Sequence, residues 1–248
     1  MDLRGSVILV TGAAQGIGAA TARLCAARGA TVVLADVRGE GAAEVAATIR
    51  DTGGLADSGQ VDVRDDGQVA ALLAGVRERH GRLDTLICAA GVLKGAYQQP
   101  EELSIEDFEL VLDVNVKGIF LCTRHAAPLL EASGRGVIIL IASGGGVRGP
   151  SSSLAYGASK AGVNGLGLTM EARLAPRGIR VNVVCPGAIA TEMKLGVIAI
   201  EAERAGRSPA DAVARAQQEL GTADGVARVI AFLASPEADY VRGTLFTR

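Results

Sequence analysis

The chain has 248 residues, 49% of them hydrophobic, and its 25 Lys+Arg against 27 Asp+Glu leave a formal net charge of −2. That composition excludes a disordered chain and offers no electrostatic grip on nucleic acid or an anionic membrane; with 3% aromatics and no Trp, stacking platforms for single strands are excluded as well. No run approaches the about 18 apolar residues of a membrane span, no secretory leader is visible, and Cys25, Cys88, Cys122 and Cys185 form no CxxC pair, so a cytoplasmic protein with reduced core cysteines is expected.

Short β-branched runs alternate with longer helical patterns. Residues 6–11 (SVILVT) predict a buried strand, followed by a glycine-rich turn and a helix over 17–28 that Gly29 stops. A second strand is expected at 31–36, a helix at 40–52, a weaker third strand at 59–63, a helix at 68–80 and a fourth strand at 83–88. Beyond a loop come a long helix at 105–130, a fifth strand at 136–142, a helix at 156–174 and a sixth strand at 179–185. Residues 188–222 predict a loop with helical pieces, long enough to act as a substrate lid, before a helix at 223–233 and a short strand at 244–246. The alternation implies a single α/β domain over 1–248, doubly wound, with parallel strands covered by helices on both faces.

The first turn reads TGAAQGIG, with Gly12, Gln15, Gly16, Ile17 and Gly18 between strand and helix. A phosphate there needs close backbone approach, free N–H groups and the positive end of a helix dipole, and this context supplies all three. Asp36 ends the second strand, where a carboxylate accepts from adenosine ribose hydroxyls and repels a 2′-phosphate. NAD is therefore expected over NADP, although Arg38 stands two residues on. Asp62 and Val63 are expected to end the third strand on the same sheet edge, beside an adenine.

Tyr156 and Lys160 are i and i+4 on a predicted helix and share a face. Ser143 follows the fifth strand, ahead of Gly144, Gly145 and Gly146. Oxidising an alcohol needs a base for the hydroxyl proton while hydride leaves carbon, and a free tyrosine near pKa 10 is too weak an acid for that. An ammonium at roughly 4 Å, with an effective dielectric of about 20, attracts a phenolate by about 4 kcal/mol, which would bring the tyrosine towards about 7 before desolvation takes some back. Ser143 would hold the substrate oxygen. His80 and His125 lack partners at metal-ligand spacing, so no metal site is expected.

With TGAAQGIG at 11–18, Asp36, Asp62-Val63, Asn115 in NVKG, Ser143, YGASK at 156–160, and Pro186-Gly187 followed by Thr191, the chain resembles the classical short-chain dehydrogenases/reductases over essentially its whole length. The resemblance implies a Rossmann-type fold with about seven parallel strands. It implies that Asn115 helps hold a water linking Lys160 to solvent, that Lys160 binds the nicotinamide ribose, and that Pro186, Gly187, Ile189 and Thr191 position the nicotinamide. Ala90 and Gly91 would lie near the adenine ribose. It also implies a homotetramer or homodimer joined through the helices at 105–130 and 156–174. Two departures stand out. Cys88-Ala89-Ala90-Gly91 replaces the family's common Asn-Asn-Ala-Gly, and the chain stops at Leu245-Phe246-Thr247-Arg248, so a tail that often closes the pocket is expected to be short.

The expected pocket lining is Gly144–Gly146, Val147, Gly149, Pro150, Val92, Leu93, Met193, Leu195, Val197 and Ile198. It is small and apolar, with Lys94, Arg148 and Lys194 nearby in sequence, and suits a neutral secondary alcohol or ketone. Two other readings compete. An NADPH-dependent 3-oxoacyl-thioester reductase is disfavoured by Asp36. A non-catalytic dinucleotide-binding sensor would lack Ser143, Tyr156 or Lys160, and all three are present.

Overall fold

In the computed structural model, which describes residues 1–248, seven strands form one wholly parallel sheet. They are β1 (Val7–Thr11), β2 (Thr31–Asp36), β3 (Leu55–Gln60), β4 (Thr85–Cys88), β5 (Val137–Ile141), β6 (Arg180–Cys185) and β7 (Gly243–Phe246), in the order β3-β2-β1-β4-β5-β6-β7. Side chains alternate across a strand, so a continuous apolar run feeds both faces. In β5, Val137, Ile139 and Ile141 join one core cluster while Ile138 and Leu140 join the other. The first cluster is closed by α1 (Gly16–Ala27), α2 (Gly39–Asp51) and α10 (Ala223–Ala234), the second by α3 (Asp66–His80), α5 (Gly118–Ala132) and α7 (Leu154–Leu174). Alanines such as Ala19, Ala22, Ala42 and Ala46 dominate the first set and let those helices lie close on the sheet. No helix is long and apolar enough to cross a membrane.

The chain runs outward from β1 to β3, then returns to the other side of β1 as β4. The loops leaving β1 and β4 therefore part company at their C-terminal ends, which is where such sheets leave a crevice.

Four expectations need correction. The third strand is Leu55–Gln60, not 59–63, so Asp62 and Val63 stand in the turn beyond it. It is an edge strand that pairs only with β2; among its residues only Ala56 is buried, so it lacks an apolar signature. The long helix at 105–130 is interrupted: α4 (Ile105–Leu112) passes into a π-helical stretch, Asp113–Lys117, before α5. The segment at 188–222 is mostly helix, α8 (Glu192–Arg204) and α9 (Pro209–Glu219), each opened by a hydroxyl cap, Thr191 and Ser208. The predicted boundary at 156 shifts to Leu154, because Ser153 accepts from the Tyr156 N–H at 3.2 Å and caps α7.

Candidate active site

The turn between β1 and α1 is built by glycine. Gly12 takes φ +70°, and a Cβ there would sit 2.5 Å from Ala90 N; a Cβ on Gly18 would sit 2.1 Å from Gly12 O. No larger residue fits either place. Gln15 occupies the helix N-cap in extended geometry without a capping side-chain bond, and the first turn holds no acidic residue. The N–H groups at the start of α1 thus face the crevice unopposed by any side-chain anion. Gln15 Oε1 is buried there without a partner.

Asp36 is buried at the end of β2. One carboxylate oxygen accepts from Ala14 N at 2.9 Å and the other from Arg38 N at 2.9 Å, while Arg38 Nε stands 3.9 Å away. Each oxygen keeps a second acceptor site. Asp62 is gripped by Arg64, with contacts of 2.6 to 3.0 Å, and that hydrogen bonding holds its carboxyl below the usual carboxylate range.

On the other side of the crevice, Ser143 Oγ accepts from Gly145 N at 3.1 Å, which leaves its own hydrogen to donate towards Tyr156 or a bound ligand. Burial pushes the Tyr156 phenol up from its ordinary value, and hydrogen bonding with Ser143 pulls it part of the way back. The expected descent towards about 7 is not seen, because desolvation dominates and the lysine donates to Ile141 O rather than to the phenol oxygen. Lys160 is buried, donates to Ile141 O at 2.7 Å and lies 5.4 Å from the Tyr156 ring centroid. Burial lowers its ammonium to about 8. Asn115, wholly buried in the π-helical stretch, is fully engaged: its Oδ1 accepts from Val92 N at 2.8 Å, and its Nδ2 donates to Val92 O at 3.0 Å and Ser159 Oγ at 2.9 Å. Gly91 stands between it and Lys160, where an added Cβ would lie 3.4 Å from Asn115 Oδ1 and 3.6 Å from Lys160 Nζ.

These groups line one cavity of about 1040 Å³. It brings together Gly12, Gln15, Gly16, Ile17, Gly18, Asp36, Asp62, Val63, Ala90, Gly91, Ser143, Tyr156, Lys160, Pro186, Gly187, Ile189 and Thr191; Asn115 stands behind the wall. The volume slightly exceeds the range of about 300–1,000 Å³ that serves one drug-sized ligand. Of the expected substrate lining, Val92, Leu93, Gly144, Gly145, Pro150, Met193 and Val197 reach the cavity. Gly146, Val147, Gly149, Leu195 and Ile198 do not. Gly146 N donates to Gly149 O at 2.7 Å, which folds that turn back on itself, and Leu195 and Ile198 occupy the other sides of α8. Lys194 lines the cavity; Lys94 and Arg148 do not, and Arg148 stacks over Phe246 at 4.8 Å. Sequence reasoning missed Tyr97, Ser151, Ser152 and Glu192, which also line it.

Both departures have a structural counterpart. Cys88 is buried beside Cys122, whose hydrogen bonding, with burial, pushes the Cys88 thiol up. The last residues reach the loop that follows β6: Thr247 N donates to Cys185 O at 3.1 Å and Gly187 N donates to Arg248 O at 3.3 Å.

A parallel sheet with a glycine turn at its switch point, facing a serine, tyrosine and lysine across one cavity, defines a dinucleotide-binding oxidoreductase. Residues 6–199 match the short chain dehydrogenase family model, and the chain belongs to that family, whose cofactor is a nicotinamide dinucleotide. It is 40% identical to cis-4-hydroxycyclohexanecarboxylate dehydrogenase of Sinomonas cyclohexanicum, over 96% of this chain and 93% of the relative. It is 36% identical to a 3-oxoacyl-[acyl-carrier-protein] reductase of Thermotoga maritima, over 98% and 96% respectively. The crystal structure of levodione reductase superposes with a TM-score of 0.89 at 32% identity, covering 99% of this chain and 96% of that one.

Proposed function

We propose that the protein interconverts a small, neutral secondary alcohol and its ketone, with NAD as the preferred cofactor. The observation that carries this reading is the convergence of Ser143, Tyr156 and Lys160 on the cavity that the glycine turn and Asp36 also line. The cradle fits a nicotinamide dinucleotide: Gly12 and Gly18 leave room that a Cβ would fill, and Gln15 Oε1 is an acceptor without a donor. Asp36 would hold the adenosine ribose, beside Asp62 and Val63, and Pro186, Gly187, Ile189 and Thr191 the nicotinamide end. When bound, the cofactor supplies the hydride acceptor or donor.

The chain's own residues handle the oxygen and its proton. Ser143 donates its free hydroxyl hydrogen to the substrate oxygen and fixes its position. In oxidation Tyr156 Oη, as phenolate, takes the alcohol proton; in reduction the phenol returns it. Lys160 stabilises the phenolate electrostatically through a low-dielectric site. The Asn115 side chain is spent on Val92 and Ser159, so a relay of that proton to solvent falls to its backbone. The apolar wall of Val92, Leu93, Pro150, Met193 and Val197 favours an uncharged alicyclic or short-chain carbonyl. Four of the relatives are named for alicyclic alcohols or ketones, cyclohexanol dehydrogenase of Acinetobacter among them.

Exposed Ile105, Phe120, Leu154 and Leu168 on α4, α5 and α7 support a homo-oligomer, homotetramer or homodimer, and four buried free cysteines suit the cytoplasm. Absorbance at 340 nm with cyclic alcohols and ketones, run with both cofactors, tests the reading. A higher kcat/KM with NADP than with NAD would defeat the cofactor assignment, and light scattering settles the oligomer.

A further inference from the structure

We propose that Tyr97 is the substrate gauge of this enzyme and that Glu201 is the positioning residue that keeps it in place. This rests on the reading that the cavity takes a secondary alcohol or ketone. Tyr97 lines the cavity, whereas Glu201 does not. The phenol therefore reaches from the wall of the pocket to the side of α8, where its hydroxyl donates to Glu201 Oε2 at 2.8 Å. The contact joins residues 104 apart in sequence.

The segment carrying Tyr97 is tied down at every step. Asn115 holds both the N–H and the C=O of Val92, Ser153 Oγ donates to Lys94 O at 2.6 Å, and Tyr97 N donates to Ser152 O at 2.6 Å. Ser153 is also the cap of α7 that accepts from the Tyr156 N–H. Ser152 and Ser153 thus tie the segment that carries Tyr97 to the start of the helix that carries Tyr156. Tyr97 is the one non-glycine residue with positive φ, at 61°. An L side chain adopts that conformation only where its surroundings hold it. Burial, with Glu201 beside it, raises the Tyr97 phenol above its ordinary value, so at neutral pH it remains a donor to Glu201.

A wall held by backbone at one end and by α8 at the other does two things. It limits the size of ring that fits between Tyr97 and Tyr156, and it ties that wall to α8, whose Met193 and Val197 also line the pocket. The carbonyl compounds accepted are compact, one ring or a short chain, and fused rings meet the Tyr97 side chain.

The test uses the full-length enzyme with saturating cofactor and monocyclic, bicyclic and tetracyclic ketones. Tyr97→Gly suits the positive φ and removes the ring; it is expected to raise the bicyclic-to-monocyclic ratio of kcat/KM at least about tenfold. Tyr97→Phe and Glu201→Ala keep a ring but lose the anchor; KM for the monocyclic ketone should rise about fivefold with kcat within about twofold. Glu201→Gln, whose amide oxygen still accepts, should restore the wild-type KM. Hydrogen exchange without substrate should speed up in residues 192–204 of Glu201→Ala and not of Glu201→Gln. An unchanged size ratio in Tyr97→Gly overturns the gauge. Unchanged KM and exchange in Glu201→Ala overturn the anchor. If wild type turns over no carbonyl of any size, the parent reading fails instead, and the exchange experiment still decides the Tyr97–Glu201 contact.

Discussion

Lys160 Nζ and the Tyr156 ring lie 5.4 Å apart, and the ammonium spends a hydrogen bond on Ile141 O rather than on the phenol. With an effective dielectric of about 20, a negative charge at the ring centre would be attracted by about 3 kcal/mol. Burial outweighs it in the resting protein, so the phenol stays protonated and the lysine, at about 8, is the member of the pair nearer to titrating at neutral pH.

The lysine leaves a signature in stability. Its pKa is about 8 folded against 10.5 unfolded, so the folded state binds its proton less tightly. Below pH 8 the full cost is present. Between about 8 and 10.5 the unfolded chain holds more protons, and stability from this group rises with pH by about 1.4 kcal/mol per unit, on the order of 3 kcal/mol in all. Tyr156 and Cys25, whose pKa values are raised, act with the opposite sign at the alkaline end. The comparison with Lys160→Met isolates the lysine, since the unpaired Ile141 carbonyl it leaves does not titrate. Urea unfolding of both proteins from pH 7.5 to 10.5 should show the wild type gaining on the variant across that window; a constant difference would show that Lys160 keeps its ordinary affinity for protons.

Tyr156→Phe removes the proposed acid and base and leaves the ring. The variant should lose about 10³-fold in kcat, within the range of about 10²–10⁴ for general acid–base groups, while binding of the reduced cofactor, followed by its fluorescence, stays within about threefold. Ser143→Ala should lose less, about 10²-fold, because one neutral hydrogen bond to the substrate oxygen is removed. A phenylalanine variant with wild-type turnover would mean that the proton goes elsewhere.

The parts of this site that the sequence displays are those encoded locally. A glycine turn between an apolar strand and a helix, and a tyrosine and lysine one turn apart, carry their chemistry in their spacing. What stays hidden depends on distant partners. β3 is polar and pairs on one side only, so its extent comes from its register with Thr31–Asp36 of β2. The π-helical turn at Asp113–Lys117 has no local marker, and its Asn115 is locked by Val92 and Ser159. Tyr97 reads as a loop aromatic until Glu201 comes beside it. The spacing of the pair predicts a downward pull on Tyr156 that desolvation only trims, but burial, a property of the whole fold, outweighs it.

Asp36→Ala separates the brace that this carboxylate gives the turn from the cofactor choice proposed for it. The Ala14 and Arg38 N–H groups lose their acceptor, which should cost about 1–3 kcal/mol of stability. The repulsion of a 2′-phosphate goes too, with Arg38 freed beside it, so the NAD-to-NADP ratio of kcat/KM should fall at least about tenfold. Thermal melts and initial rates with both cofactors read the two effects independently. A ratio that does not move would take Asp36 out of cofactor choice and leave it a brace for the turn.

Asn115→Ala tests a residue whose side chain the fold already employs. Truncation strips partners from the partly buried Val92 N–H and C=O and from the buried Ser159 Oγ. One buried donor or acceptor left unsatisfied costs about 1–3 kcal/mol, so a loss of about 3 kcal/mol is expected, or about 6–12 °C in Tm for a chain of this length. The Val92 segment leads to Tyr97, so KM for the ketone should rise along with the fall in kcat. Were Asn115 needed only for proton relay, kcat would drop while Tm and KM held. Differential scanning calorimetry beside steady-state kinetics distinguishes the two, and the bonds to Val92 predict that all three quantities move together.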